Sequence, residues 1–258
     1  MKMLIFKFSL ILIFLFIFLS PLNAFCDDAI TADDLVYLTE KFPPHNYVKD
    51  GQLVGASVEI LEMIWKKLGA SKTRADIEII PWARGIKRLE NEPNIVLFGM
   101  GFSVERAQKF HWVGPYYTHS LSLIAKKENK LQIHTLGDAK TFQIGAVRED
   151  MGHQTLIDFH FPPSKLDLSS DIDMLYNKLK YDRLNLICYV EESFFNYIDT
   201  HHLNKNLFEP VFQFSSMKSG YGFSKKIPAS LIQKFQKALD QLKKDNAVNA
   251  ILKKYGIK

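Results

Sequence analysis

The chain has 258 residues and a formal net charge of +5, with 47% hydrophobic and 24% charged residues. This composition predicts a globular protein with one large or two modest domains, a size that needs no disulfide bonds for stability. The excess of positive charge is too small to favour nucleic acid as a partner.

The first residues have the pattern of a secretory signal peptide. Two lysines precede the apolar segment Leu10–Leu19, and a Ser-Pro pair follows it. This segment is short for a membrane-spanning helix. We expect residues 1–26 to be removed by cleavage after Cys26, with cleavage after Ala24 as the second choice. The mature protein would then begin at Asp27 in the periplasm; an uncleaved membrane anchor is the alternative.

Apolar patterns in the first half of the mature chain predict strands that alternate with helices. In the first helix, Ser57 is the expected N-cap and Gly69 the residue that ends it. In chain order the predicted elements are a strand over Asp34–Thr39, a helix over Gly55–Gly69, a strand over Asp76–Trp82, a helix over Ala83–Asn94 and a strand over Asn94–Phe98.

The second half continues the alternation and ends in two amphipathic helices after Pro228. Near-continuous apolar strands alternating with helices favour a parallel sheet covered on both faces. Cys188 lies in an apolar strand and is predicted to be a buried, unreactive thiol. The other predicted elements are a strand over Phe142–Val147, helices near Met151–Phe159 and Asp171–Lys180, and a strand over Leu184–Val190.

Sequence signatures of catalysis are absent. The chain has no Walker loop, no G-x-S-x-G elbow and no H-E-x-x-H motif. His201 and His202 form an isolated pair in a polar segment, without partners at metal-ligand spacing. The sequence therefore predicts no catalytic residues, no metal site and no cofactor.

Aromatic and basic residues follow the predicted strand ends. The segment Thr39–Gly51 leaves the first strand and presents His45 and Tyr47 after two prolines, while Trp82 ends a later strand and Arg84 follows it. Ligands of open parallel sheets bind outside the carboxyl ends of the strands. Together these residues favour a binding site, although each of them alone is consistent with ordinary packing or a surface ion pair.

The segment "GMGFSVER" follows the strand that ends at Phe98. Gly99 and Gly101 predict a turn in which backbone N–H groups are open to a ligand. Arg106, preceded by Ser103, offers a fork of donors that suits a carboxylate. A surface arginine paired with an acid such as Glu105 is the alternative.

Four segments together resemble the periplasmic solute-binding proteins of family 3, the receptors of ABC importers for polar amino acids and related compounds. The resemblance covers nearly the whole mature chain. It implies an α/β, periplasmic-binding-protein-like fold, in which two α/β lobes are joined by two hinge strands and the ligand cleft lies between them. Lobe 1 would comprise residues 27–119 and 216–258, and lobe 2 residues 120–215. The segments are "TEKFPPHNYVKDGQLVGASVEIL", "PWARGIKRL", "GMGFSVERAQKFHWVGPYY" and "LKKDNAVNAILKKYG".

The resemblance also implies roles for residues of lobe 1. Arg106 matches the arginine that takes the ligand's α-carboxylate, and Ser103 matches the threonine that precedes it. His45 falls where the family has a stacking ring, and Trp82 lies near a second ring position. Gly101 is a departure, because amino-acid binders usually have a hydroxyl residue there.

In lobe 2, the resemblance implies that Arg148, Asp150 and Gly152 complete the pocket. Val190 stands where the family has the aspartate that pairs with an α-ammonium group, and Glu191 or Glu192 could take over the role of this aspartate. Asn185 replaces a second aspartate of the family. The departures leave open whether the ligand carries an α-ammonium group.

The leading interpretation is a monomeric receptor that binds a small carboxylate-bearing solute and delivers it to an inner-membrane ABC permease. One alternative is an enzyme on the same scaffold, similar to cyclohexadienyl dehydratases, with Glu191, Glu192 and Arg148 as the reactive groups. A third possibility is a ligand-sensing partner of a membrane receptor.

Overall fold

The computed structural model describes residues 30–214 and 216–257. The predicted signal peptide and its cleavage sites lie outside these residues. Within the described ranges, no helix has the length and apolar character needed to span a membrane.

The first sheet has five strands in the order β4-β1-β5-β12-β6. β1 pairs in parallel with β4 and β5, whereas β12 is antiparallel to both β5 and β6. The strands are β1 (Val36–Thr39), β4 (Ile77–Ile79), β5 (Ile95–Gly101), β6 (His111–His119) and β12 (Met217–Phe223), and a separate hairpin consists of β2 (Tyr47–Lys49) and β3 (Gln52–Val54).

The second sheet also has five strands, in the order β11-β7-β10-β8-β9. β8 pairs in parallel with β9 and β10, and β7 is antiparallel to β10 and β11. The strands are β7 (Leu121–Lys126), β8 (Ile144–Val147), β9 (Leu166–Ser169), β10 (Leu186–Val190) and β11 (Phe208–Gln213).

The α-helices cover the sheets. Those that follow strands of the first sheet are α1 (Ala56–Leu68), α2 (Trp82–Asn91), α3 (Val104–Lys109), α8 (Ala229–Lys244) and α9 (Ala247–Lys254). Those of the second sheet are α4 (Leu136–Ala139), α5 (Met151–Asp158), α6 (Ile172–Lys180) and α7 (Glu191–Thr200). The fold is therefore mixed α/β, with two sheets in two lobes.

The chain passes twice between the sheets. It leaves the first sheet at His119, the end of β6, and enters the second at Leu121, the start of β7. It returns between Gln213 and Met217. Buried apolar side chains connect the two lobes. Phe42, in the segment after β1, and Trp82, the first residue of α2, belong to the same core cluster as residues in the strands of the second sheet.

Most of the predicted helices and strands are confirmed, and three local expectations are wrong. The sheets are mixed rather than parallel, because the strands at the two crossings run antiparallel to their neighbours. Gly55 rather than Ser57 is the N-cap of α1, and the Ser57 hydroxyl instead donates to the His45 carbonyl at 2.8 Å. Gly69 ends α1 in the left-handed conformation, as predicted.

The third correction concerns the two glycines. Instead of forming a turn after the strand, Gly99 and Gly101 belong to β5. Gly99 has a φ of 82° and is the extra residue of a β-bulge, since Phe98 and Met100 pair with consecutive residues of β12. Cys188 is fully buried, as predicted, and burial raises the pKa of its thiol well above the usual value.

Candidate functional site

A small cavity of about 30 Å³ lies between the two lobes. It is lined by residues in or beside the strands of the first sheet, and by strand ends, a loop and a helix start of the second. From the first sheet and its connections these are Glu40, Phe42, Trp82, Gly99, Gly101, Arg106 and Met217. From the second they are Leu121, Asp150, Met151, Gly152, Tyr189 and Val190.

Arg106 and Trp82 of the first lobe donate to one carbonyl of the second. The Arg106 Nη2 group lies 2.6 Å from the Glu149 carbonyl oxygen, and the Trp82 Nε1–H group lies 2.8 Å from the same oxygen. The guanidinium also stacks over the Trp82 ring, 5.5 Å from its centroid. These contacts join the lobes at the cavity wall.

The surroundings of Arg106 exclude the surface alternative. Its side chain is only 8% exposed and its Nη1 group donates to the Gly101 carbonyl at 3.1 Å. Glu105, the acid proposed for the alternative, pairs with Lys109 instead. Ser103 is the N-cap of α3 and accepts from the Arg106 backbone N–H, which fixes the start of the helix that carries the arginine.

Two glycines allow the walls of the cavity to approach each other. A Cβ atom on Gly101 would lie 2.3 Å from Cγ of Met151 and 2.6 Å from Sδ of Met217. A Cβ atom on Gly152 would lie 2.4 Å from the backbone carbonyl oxygen of Cys188. The space that a hydroxyl side chain at position 101 would occupy is therefore filled by two methionines.

Two acidic residues, Asp150 and Glu40, line the same cavity as the arginine. Asp150 is the N-cap of α5, accepts from the His153 backbone N–H at 2.7 Å, and has its pKa raised to about 7, mainly by burial. Burial also raises the pKa of Glu40, one residue beyond β1, well above the usual value, and the nearby charge of Asp150 adds to this increase. The Arg106 charge opposes both shifts.

Five of the predicted site residues line the cavity: Gly99, Gly101, Trp82, Arg106 and Asp150. Gly152, which the resemblance implied, lines it as well.

The other predicted site residues lie elsewhere. His45 is fully buried against His119, and Tyr47 lines a wider groove of about 520 Å³ between the β2 segment and helices α6 and α7. Arg84 and Arg148 are exposed. Glu191 accepts from the Ser122 hydroxyl at 2.8 Å and lines a different groove.

Sequence reasoning missed several cavity residues, of which Glu40 carries charge. Its position directly after a strand of the first sheet is the same signal that identified Trp82, so the rule used for rings and arginines would have found it. The apolar wall residues Phe42, Tyr189 and Met217 had no such signal. They come from segments far apart in the chain.

The arrangement suits a small zwitterion or cation. A guanidinium fork matches a carboxylate, two carboxyl groups attract positive charge, and the Phe42, Trp82 and Tyr189 rings provide apolar walls. Val190, at the position of the family's aspartate, is an apolar part of the same wall.

Comparison with known proteins identifies relatives along almost the entire described chain. The family described as bacterial extracellular solute-binding proteins, family 3, matches residues 35–258. A probable histidine-binding protein from Campylobacter jejuni is 22% identical over 218 residues, which cover 83% of this chain and 81% of the relative.

Solved structures share the fold at low sequence identity. A histidine kinase sensor domain with similarity to periplasmic binding proteins has a TM-score of 0.75 and 19% identity, covering 86% of this chain and 95% of that one. An ancestral arginine-binding protein bound to arginine has a TM-score of 0.73 and 22% identity, covering 86% and 97%. The fold predicted from the resemblance is confirmed.

Proposed function

Because the chain belongs to the bacterial extracellular solute-binding proteins of family 3, we propose that it is the receptor of an ABC importer that captures an amino acid between its lobes. The observation that carries this proposal is the grouping of Arg106, Asp150 and Glu40 around one cavity. Arg106 would bind the ligand's carboxylate, and the two acidic groups would bind its positive charge. Asp150 and Glu40 thus provide the negative charge that Val190 does not.

The charge of the cavity favours a basic amino acid. With both carboxyl groups ionised, the site carries two negative charges and one positive charge, and a ligand with one net positive charge neutralises it. Such a ligand would also offset part of the cost of ionising two neighbouring carboxyl groups. The names of the relatives, a probable histidine-binding protein and an arginine-binding protein, agree with this charge preference.

We further propose that the lobes open and close around the ligand. A cavity of about 30 Å³ is far smaller than the several hundred Å³ of an ordinary ligand pocket, so an amino acid enters only if the lobes separate and the methionines over Gly101 move. The two crossings of the chain between the sheets support a hinge there. The lobes would then comprise residues 27–119 with 216–258, and residues 120–215.

The remaining parts of the proposal concern location and partners. We propose a mature chain that begins near Asp27 in the periplasm, acts as a monomer and docks on an inner-membrane permease. An enzyme of the dehydratase type is less well supported. Its required groups Glu191, Glu192 and Arg148 do not line the cavity, and Glu191 and Glu192 are hydrogen-bonded to Ser122 and His119.

Calorimetric titration with the twenty amino acids tests the proposal. We expect L-arginine, L-lysine or L-histidine to bind best, with a dissociation constant of about 1 μM or lower. Agmatine and histamine are matched controls, because they keep the amine and the side chain of arginine and histidine and lack the carboxylate. They should bind at least tenfold more weakly. Equal affinity for arginine and agmatine, or no binding of any amino acid, would contradict the proposed function.

A further inference from the structure

A second group of polar side chains lies near the β6–β7 crossing. None of them lines the cavity, but Phe42, which does, packs against both His45 and His119. His45 follows the two prolines of the loop after β1, and its side chain is fully buried. Among the described residues neither its Nδ1 nor its Nε2 atom has a hydrogen-bond partner. Every neutral imidazole carries one donor and one acceptor, and buried polar atoms in proteins are almost always paired. Both nitrogens of His45 therefore need an explanation.

His119 presents a third unpaired nitrogen at the same place. It ends β6 and is 1% exposed, and its ring centroid lies 4.6 Å from that of His45. Its Nδ1 atom lies 2.6 Å from Oε1 of Glu192, whereas its Nε2 atom has no partner within the described part of the chain. A carboxylate hydrogen-bonded to Nδ1 cannot also reach a metal ion on Nε2, so an ion held by both residues would take the place of the proton between Nδ1 and Oε1.

Glu192 adds a carboxylate from the other lobe. It lies in the first turn of α7, and one ligand atom from each of His45, His119 and Glu192 lies within 4.8 Å of the other two. Imidazole nitrogens with a carboxylate oxygen are a donor set that suits zinc and its neighbours in the first transition row. We propose that these three residues bind a divalent transition-metal ion, with Zn²⁺ as the best match.

The distances require only a modest adjustment. Zinc bonds of about 2.0–2.2 Å in a tetrahedral site place neighbouring ligand atoms about 3.4 Å from each other. Separations of up to 4.8 Å must therefore shorten by at most about 1.4 Å, whereas the 2.6 Å between Nδ1 of His119 and Oε1 of Glu192 must lengthen. Access is available, because Glu192, Tyr117 and Pro44 line a groove of about 430 Å³. Water from this groove can supply the fourth ligand.

Ordinary aromatic packing is the competing explanation for the two histidines. The rings of Phe42, Tyr116 and Tyr117 surround His45. Packing alone would be served equally well by phenylalanine, which has no polar atoms to leave unpaired. It also gives no reason for a carboxylate beside His119.

The first experiment measures zinc binding to tag-free protein stripped with EDTA, by competition with a chromophoric chelator. We expect one Zn²⁺ per chain and no comparable binding of Mg²⁺ or Ca²⁺, which prefer oxygen ligands. Substitution of Co²⁺ should give the visible absorption of a site with nitrogen ligands. The absence of stoichiometric zinc binding to the wild type would overturn the proposal.

Variants then locate the site. His45→Phe keeps a ring of similar shape and removes both nitrogens, and it should weaken zinc binding at least about 100-fold; Glu192→Gln should weaken it at least about tenfold. The double variant His201→Ala/His202→Ala, which alters the exposed pair, should bind zinc like the wild type. Loss of binding in that double variant, or unchanged binding in Glu192→Gln, would overturn the assignment. Circular dichroism identifies any variant that fails to fold. If His45→Phe does not fold, the zinc affinity of Glu192→Gln tests the assignment of the site.

Discussion

Replacement of Arg106 by alanine should weaken amino-acid binding about 10- to 150-fold. In the structure its two terminal nitrogens donate to the carbonyls of Gly101 and Glu149. When a ligand carboxylate binds, its two charged oxygens would replace these neutral carbonyl oxygens as acceptors. Charge-assisted hydrogen bonds contribute about 1.5–3 kcal/mol each and are about twice as strong as neutral ones. The net gain for two bonds is therefore about 1.5–3 kcal/mol, and 1.4 kcal/mol is a factor of ten.

Titration calorimetry measures this change with the amino acid that binds best to the wild type. Arg106→Lys should recover only part of the affinity, since an ammonium group cannot form two parallel bonds to a carboxylate. Arg88→Ala is a matched control, because Arg88 also forms a forked contact but pairs with Glu92 and Glu78 within the first lobe. Its affinity should match that of the wild type.

The reasoning fails if Arg106→Ala and the wild type bind the same amino acid within about threefold. Such a result would mean that Arg106 only joins the lobes through the Glu149 carbonyl. A second informative result is an equal loss in Arg106→Ala and Arg88→Ala. It would show that affinity responds to the stability of the first lobe rather than to the carboxylate contact.

Three further predictions concern the same cleft. Trp82→Phe removes one hydrogen bond between the lobes, worth about 1 kcal/mol, so the affinity for the amino acid should fall about fivefold. Trp112→Phe removes a hydrogen bond within the first lobe, and its affinity measured by calorimetric titration should match that of the wild type. The pKa of Asp150, raised to about 7, should fall when a cationic amino acid binds. The proton that Asp150 then releases should make the binding enthalpy depend on the buffer at about pH 6–7. For the same reason, the affinity should rise with pH up to about 7. The same raised pKa makes the unliganded protein lose stability as pH rises from about 4 to 7. Asp150→Asn should reduce both effects, and the raised pKa of Glu40 accounts for what remains. Gly152→Ala should lower the free energy of unfolding in urea by about 1–3 kcal/mol, because its Cβ would meet a backbone carbonyl, while Gly137→Ala should change it little.

The elements of the fold were predictable because each depends on local pattern. Helix α1 has apolar residues at a period of about 3.6 and ends at Gly69, and a short window of sequence shows both features. In the structure Gly69 has the left-handed conformation that favours glycine at helix ends. The direction of the strands was not predictable in the same way. β12 enters the first sheet antiparallel to β5, its neighbour more than a hundred residues earlier, and no local pattern specifies that pairing.

The candidate site was predictable to the extent that its residues follow strands. Trp82 and Arg106 were predicted because each follows the end of a predicted strand, whereas Asp150 was implied only by the resemblance to the family. His45 satisfied the same rule and yet lies outside the cavity lining. The short turn from Phe42 to Asn46, closed by hydrogen bonds between their backbones, directs its ring towards His119 instead.

The proposed zinc ligands show why a search by spacing finds no metal site in this sequence. The search recognises ligands a few residues apart on one helix or turn. His45, His119 and Glu192 are each separated by more than seventy residues, and they meet only because the loop after β1, the end of β6 and the start of α7 converge beside the crossing between the sheets. Since His45 belongs to the first lobe and Glu192 to the second, a metal ion held by both would link the lobes. The ligands come from distant segments in different lobes, and for this reason a search by spacing does not detect them. For the same reason, metal binding would depend on the arrangement of the lobes.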